Sequence, residues 1–140
     1  MAVGAAKPIN PMLVVAICFS IAALEGYDIQ AFGIAAPQFA PQLKLDPAQM
    51  GWAGSAAMIG LMLGAFVGGW AADRVGRRPV LAASVAAFGL FSVLTAFSQS
   101  FEVLTLSRLL TGIGFGGAMP NLIAIATEIA PPHRRAATTT

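Results

Sequence analysis

The chain of 140 residues is 57% hydrophobic and only 10% charged, with a net charge of +2. A soluble domain carries about a quarter charged residues, so this composition indicates an integral membrane protein. The small and dispersed positive charge argues against a nucleic-acid partner. Cys18 is the only cysteine, which excludes an internal disulfide and a cysteine metal cluster. His133 lies in a basic terminal loop, where we expect a structural or solvated role.

Four segments are long enough to cross a bilayer core of about 30 Å, which takes about 20 helical residues. We therefore predict an all-α integral membrane fold with four transmembrane helices. The predicted spans cover residues 11–36, 47–72, 79–98 and 101–130, with a tail over 1–10 and a loop over 131–140.

The first segment has a second interpretation. Lys7, the apolar run and the triplet Ser20-Ile21-Ala22 also fit a cleavable signal peptide. The basic region is weak, however, and the apolar pattern resumes beyond Asp28. We therefore favour a retained helix.

Basic residues mark one side of the membrane. Lys44, in a predicted loop over residues 38–49, is the one basic residue on the opposite side. The six basic residues on the marked side are Lys7, Arg74, Arg77, Arg78, Arg134 and Arg135. This positive-inside bias places the N-terminus, the loop over 73–78 and the terminal loop in the cytoplasm.

Glycines predict where the helices approach one another. Gly60, Gly64 and Gly68 recur at every fourth residue of the second span, which allows close packing against another backbone. The fourth span has a glycine cluster over 112–117, followed by Pro120. This cluster either packs in the same way or weakens the helix enough to bend it.

Three charged residues inside the spans indicate a functional compartment. Glu25 and Asp28 lie three residues apart and share a face of the first helix. Arg108 lies on the fourth span, about 10 Å below the outer edge of the membrane and at a depth similar to that of the two acids. Because ionised groups are costly in a bilayer, we expect them to face a wet cavity, where an ion pair fits this geometry. Repulsion between the carboxylates favours protonation of one of them; the alternative is a static pair that fixes helix register.

The stretch "GWAADRVGRRPVL", residues 69–81, resembles the signature between the second and third helices of the major facilitator superfamily. The matching residues are Gly69, Asp73, Arg74, Gly76, Arg77 and Arg78. The resemblance implies close helix approach at Gly69, a tight turn at Gly76, and a charge network that closes the cytoplasmic side. Glu128 stands where that network has an acid at the end of the fourth helix. An ordinary positive-inside loop would explain the arginines but not Asp73 and Gly76.

A second stretch, "RLLTGIGFGGAMPN", is similar to the superfamily's arginine followed four residues later by G-x-G. It maps onto Arg108, Gly112 and Gly114. The superfamily has twelve helices in two halves that are built from three-helix inverted repeats. The resemblance therefore implies that this chain is the first third of such a fold, with the remaining helices as its partners. We expect it to be a fragment that ends before a fifth helix.

The motif "EGYD", residues 25–28, resembles the D-G-x-D motif of the aromatic acid:proton symporters. The chain as a whole is most similar to the branch that imports 3-hydroxyphenylpropionate and hydroxybenzoates. Glu25 departs from the aspartate that is usual in that family. The added methylene of Glu25 extends the reach of its charge, so the role of the family's motif transfers more directly to Asp28 than to Glu25.

The residues and the resemblance together predict a proton-coupled secondary transporter. It would import aromatic carboxylates across the bacterial inner membrane by alternating access, with Glu25, Asp28 and Arg108 handling protons and substrate. It would need no cofactor or metal besides the coupling proton. Three alternatives remain: a facilitator for sugars, metabolites or drugs, a dimeric four-helix multidrug exporter, and a non-transporting membrane scaffold. An enzyme is not indicated, because no nucleophile–base set or phosphate loop occurs.

Overall fold

The computed structural model describes the backbone of residues 11–129, and their side chains except at positions 11, 14 and 126–129. In this range the chain forms four α-helices and no strand, so the all-α prediction is confirmed. The helices are α1 (Pro11–Gln42), α2 (Pro47–Val75), α3 (Arg77–Ala96) and α4 (Phe101–Ile129). The predicted tail over 1–10 and the loop over 131–140 lie outside the described residues.

Three of the described helices are long and apolar enough to cross a membrane: Val15–Gln42, Pro47–Val75 and Arg77–Ala96. Even the 20 residues of α3 span about 30 Å at 1.5 Å per residue. α4 is as long as α2, with 29 residues. Its polar residues Arg108 and Asn121 and several of its glycines are buried by the other helices. α4 is therefore the central helix of the bundle.

α1 is longer than the sequence predicts. We expected it to end near Pro37 and to be followed by a long loop. It continues instead to Gln42, so only residues 43–46 connect it to α2. A proline inside a helix removes one backbone hydrogen bond, but here the rings of Phe32 and Phe39 pack with centroids 5.6 Å apart. This contact stabilises the added turns.

The connection between α2 and α3 is a single residue. Gly76 has φ +94°, which glycine adopts without steric cost and which reverses the chain at once. α2 therefore reaches Val75, and α3 begins at Arg77 rather than at the predicted Pro79. Pro79 is tolerated because it lies in the first turn, where a backbone N–H has no helical partner. At its other end α3 stops at Ala96, two residues before the predicted end of the span.

α2 and α4 pack along a seam of glycines. Gly60 and Gly64 face α4 so closely that an added Cβ would overlap its backbone. At Gly68 an added Cβ would lie 2.5 Å from the Cα of Gly117. Gly112, on α4, approaches the α2 backbone as closely from the other side. The close packing predicted for the α2 stripe is confirmed, and it is the means by which membrane helices gain dispersion contacts.

The same glycine cluster also receives α3. A Cβ on Gly114 would lie 2.5 Å from the backbone nitrogen of Phe88. The ring of Phe88 packs edge-on against that of Phe115, with centroids 5.9 Å apart. α4 runs as one helix through Pro120. Its glycines thus form a packing surface on two sides, and the proposed bend stays a prediction.

α1 is held much less firmly than the other helices. Ile21 is its only buried residue among those described, whereas α2 has six. Ile21 joins Phe115 and Leu122 of α4 in the hydrophobic core. Farther along, a cavity lies between α1, α3 and α4. That cavity contains the polar residues considered next.

Candidate functional site

A cavity of about 990 Å³ lies between α1, α3 and α4, and is called the α1–α3–α4 cavity below. Leu43 and Gln99 line it, so it lies at the end of the bundle where α1 joins α2 and α3 joins α4. Four aromatic side chains contribute to its largely apolar wall: Tyr27, Phe32, Phe39 and Phe88. A cavity of this size and character suits a small organic molecule.

A buried ion pair forms one wall of the cavity. The Nη1 atom of Arg108 donates to Oδ2 of Asp28 at 2.6 Å. The hydroxyl of Ser92 donates to the other carboxylate oxygen, Oδ1, at 2.7 Å. Residues from α4, α3 and α1 therefore meet at one carboxylate. The sequence predicted that Asp28 and Arg108 would be near each other but did not predict the contact with Ser92.

Arg108 is enclosed on every side yet not fully hydrogen-bonded. The residue is 3% exposed, and its guanidinium carbon lies 4.2 Å from the centroid of the Phe32 ring. Its Nε atom is buried and has no hydrogen-bond partner among the described residues. The ion pair and the ring offset the cost of burying this cation. The unpaired N–H is a buried donor, which is costly to leave without an acceptor.

Hydroxyl groups continue from the ion pair along α3. Ser92, Thr95 and Ser98 all line the cavity. The Thr95 hydroxyl lies 3.1 Å from the buried hydroxyl of Ser107, and the Ser98 hydroxyl lies 3.4 Å from it. Ser92 and Thr95 lie three residues apart on one face of α3, and Ser98 follows in the connection to α4. That spacing was the signal from which the sequence could have revealed a polar face on an otherwise apolar helix.

Glu25 does not join the ion pair. It is half-buried, does not line the cavity, and forms no ion pair within the described part of the chain. Residues three apart differ by about 60° around a helix, so Glu25 can face away from a cavity that Asp28 enters. The expectation that both acids line one compartment with Arg108 is therefore wrong here for Glu25. Its role in proton coupling stays a prediction.

The charged motif lies at the opposite end of the bundle from the cavity. Asp73 is exposed in the last turn of α2. The guanidinium carbon of Arg74 lies 4.0 Å from the centroid of the Trp70 ring. Gly76 makes the turn, and residues 77–78 begin α3 with both arginines exposed. The motif thus presents its charges on the surface around a tight reversal.

Two further motif residues need comment. An added Cβ at Gly69 would meet no heavy atom within 4 Å in the described part of the chain. Within the described helices the close contact is made by Gly68, about 100° around α2, and the close approach predicted for Gly69 stays a prediction. Glu128 lies in the last turn of α4. Its side chain is outside the described residues, so its predicted link to the motif stays a prediction.

The second signature has a packing role in the structure. Arg108 supplies the ion pair, while Gly112 faces the backbone of α2 and Gly114 that of α3. The four-residue step from Arg108 to Gly112 keeps them on related faces of α4. In the described residues no group of three His, Cys, Asp or Glu side chains is placed to hold a metal ion.

These features define a class of protein: a helical membrane bundle with a charged internal cavity at one end and a basic turn at the other. Residues 18–140 match the family model of the Major Facilitator Superfamily. The chain belongs to this superfamily. Its four helices correspond to part of the twelve-helix fold, as the sequence predicted.

Three transporters of similar sequence support this assignment. The chain is 52% identical over 124 residues to the 3-(3-hydroxy-phenyl)propionate transporter of Escherichia coli strain K12, an alignment that covers 89% of this chain and 31% of the relative. It is 43% identical over 128 residues to a 4-hydroxybenzoate transporter of Pseudomonas aeruginosa, covering 90% and 29%. It is 39% identical over 123 residues to a gallate transporter of Pseudomonas putida, covering 88% and 27%. The chain thus spans about a third of the length of these relatives, which are named as transporters and not as enzymes.

Proposed function

We propose that this chain provides the first four helices of a proton-coupled importer of aromatic carboxylates. The transporter would act by alternating access in a bacterial inner membrane, with its N-terminus in the cytoplasm. The observation that carries this proposal is the buried Asp28–Arg108 pair at the wall of an aromatic cavity. The hydroxylated aromatic acids in the names of the three relatives support the substrate class.

The cavity chemistry suits such a substrate. An aromatic acid has a flat apolar ring and a planar carboxylate. Rings of Phe32, Phe39 and Phe88 line the cavity and offer apolar contact, and a guanidinium matches the planar carboxylate. The unpaired Nε of Arg108 adds a buried donor beside the one that Asp28 already uses. The remaining helices of the complete transporter would complete the site.

The same ion pair supplies a means of coupling to protons. While Asp28 is ionised it neutralises Arg108, and a substrate carboxylate has to compete with it. Protonation of Asp28 removes that competition, so proton and substrate binding favour each other. Two ligands that each favour the same state of a site are coupled reciprocally. Glu25, one turn away on α1, is a second candidate for proton binding.

The exposed charges around Gly76 would form the cytoplasmic gate. Asp73 and the nearby arginines lie at the end of the bundle opposite the cavity. Exposed charges there can pair with Glu128 and with helices of the other half when that side closes. The one-residue turn at Gly76 holds the ends of α2 and α3 together, so that the charges move as one unit.

An Asp28→Asn change in the complete transporter tests the proposal. The amide cannot bind and release the coupling proton, so we expect proton-driven uptake of a radiolabelled hydroxyphenylpropionate to fall to background. Asp46→Asn is the matched control, because this exposed aspartate lies in the connection between α1 and α2. It should leave uptake unchanged, and both variants should reach the membrane in equal amounts.

Full proton-driven uptake by the Asp28→Asn transporter would overturn the coupling role. Competition by unlabelled hydroxybenzoates tests the substrate class separately. If sugars or unrelated drugs compete and aromatic acids do not, the substrate assignment is wrong even though transport is retained.

A further inference from the structure

We propose that Ser92 of α3 is a positioning residue for Asp28, and that the coupling proton binds the carboxylate oxygen that faces Ser92. This inference rests on the proposed function and extends it to a third helix. In it, α3 takes part in coupling together with α1 and α4. The argument depends on which group each oxygen of Asp28 contacts.

The two carboxylate oxygens of Asp28 have chemically different neighbours. Oδ2 accepts from Arg108 at 2.6 Å, and a guanidinium can only donate. Oδ1 accepts from the Ser92 hydroxyl at 2.7 Å, and a hydroxyl can either donate or accept. A proton on Oδ2 would face an N–H donor and leave both groups without an acceptor. A proton on Oδ1 is accommodated when the Ser92 hydroxyl rotates and accepts from it.

Ser92 differs in its hydrogen bonding from Thr95 of α3 and from Ser98, which lies just beyond the end of α3. The Thr95 hydroxyl lies 2.9 Å from the carbonyl oxygen of Phe91, and that of Ser98 lies 3.2 Å from the carbonyl of Leu94. This bond to the preceding turn is the usual one for a hydroxyl in an apolar helix. Ser92 instead reaches across the cavity to α1. This bond joins α3 directly to α1.

The protonation step is balanced with water as the co-reactant. A hydronium ion in the cavity transfers its proton to Oδ1, an O–H bond forms on Asp28, and water is left behind. Ser92 then accepts from the new O–H group. Asp28 becomes neutral, so the charge of Arg108 is no longer compensated and is available to a substrate carboxylate. Release of the proton reverses each change.

Few other charged groups act on Asp28. Arg108 faces it from α4, and Glu25 and Tyr27 are its titratable neighbours on α1. From α3 the cavity is lined by uncharged residues, and α2 contributes none of its lining. In the described part of the chain, Ser92 is therefore the uncharged side chain that hydrogen-bonds this carboxylate.

The test compares Ser92→Ala and Ser92→Thr in the complete transporter, with uptake of a labelled hydroxyphenylpropionate measured against external pH. Alanine removes a hydrogen bond that favours the ionised carboxylate, so the pH profile should move about one unit toward higher pH. Threonine retains the hydroxyl and faces open cavity, so its profile should match the unmodified protein. Ser20→Ala is the matched control, because the Ser20 hydroxyl bonds its own helix at the Ala16 carbonyl.

The outcomes separate this inference from the function on which it rests. An unshifted profile for Ser92→Ala, with uptake merely reduced at every pH, would overturn the role of Ser92 and leave that of Asp28 intact. Retained proton-driven uptake by Asp28→Asn would instead overturn the coupling role of Asp28 itself. A shift that threonine fails to restore would also contradict the inference, because the hydroxyl would then not be the cause.

Discussion

α2 and α1 contact the central helix α4 in opposite ways. α2 meets α4 through glycines that bring two backbones into contact over Gly60, Gly64 and Gly68. α1 meets α4 chiefly through Ile21 and through the polar pair of Asp28 with Arg108. The first interface consists of dispersion contacts that are lost with small displacements. The second depends on charges and can be changed by a proton.

This difference suits a protein that has to change shape. A tight glycine seam fixes α2 and α4 as one rigid unit, while a cavity beside α1 leaves room for movement or for a ligand. Interfaces with few buried contacts are where proteins open locally. If the comparison is correct, changes in the seam should affect the stability of the whole bundle, and changes at the ion pair should affect mainly α1.

The largest effect is expected for Gly64→Leu in this chain. An added Cβ would lie 2.8 Å from the Cα of Ile113, a backbone atom that cannot yield. We expect loss of the folded bundle, measured as near-ultraviolet circular dichroism during titration with SDS. Gly51→Leu is the matched control on the same helix, since a Cβ there meets no atom within 4 Å. Both changes raise helix propensity equally, so equal stability of the two variants would contradict the seam.

The sequence predicted this seam because small residues at a spacing of four lie on one helix face. It also predicted that Asp28 and Arg108 would be near each other, since buried charges need partners. It also assigned a close approach to Gly69, where an added Cβ meets no atom of the described helices, because a motif identifies residue types but not the direction each faces. It missed Ser92, because a serine in an apolar helix usually bonds its own backbone.

The end of α1 could not be predicted for a related reason. Pro37 is a normal stop signal for a helix, yet α1 continues through it, and the rings of Phe32 and Phe39 pack across it. The error affects the site directly, because Gln42 and the added turns of α1 line the cavity. Local signals thus located the helices, while the shape of the cavity depends on contacts between residues that are distant in sequence.

A smaller and more local effect is expected for Arg108→Leu. Removing the cation leaves Asp28 as an unpaired carboxylate that is only 18% exposed, a change that costs about 3–5 kcal/mol in buried pairs. α1 should then separate from α4 while the glycine seam persists. Cys18 of α1, the only cysteine, packs against the core and reports this separation. Its rate of maleimide labelling in detergent should rise at least tenfold.

Two variants make this second prediction specific. Arg74→Leu removes an arginine at the other end of the bundle and should leave Cys18 labelling unchanged. Adding Asp28→Asn to Arg108→Leu removes the unpaired charge and should restore part of the protection, because most of the cost lies in that charge. If none of the three variants changes the rate of maleimide labelling of Cys18, the ion pair does not hold α1.

The smallest effect is expected for Asp46→Ala in the connection between α1 and α2. The Asp46 carboxylate accepts from the backbone N–H of Gln49 at 2.7 Å, and the Gln49 side chain accepts from the Asp46 N–H at 3.0 Å. Loss of this capping box should lower the free energy of unfolding by about 1 kcal/mol. Asp46→Asn, which still caps the helix, should lower it by less than half as much in the same SDS titration.

Cys18 labelling should not change in either variant, because the cap orders the start of α2 and touches neither the seam nor the ion pair. An increase in labelling with Asp46→Ala would mean that the short connection, and not the charge on Arg108, determines where α1 lies.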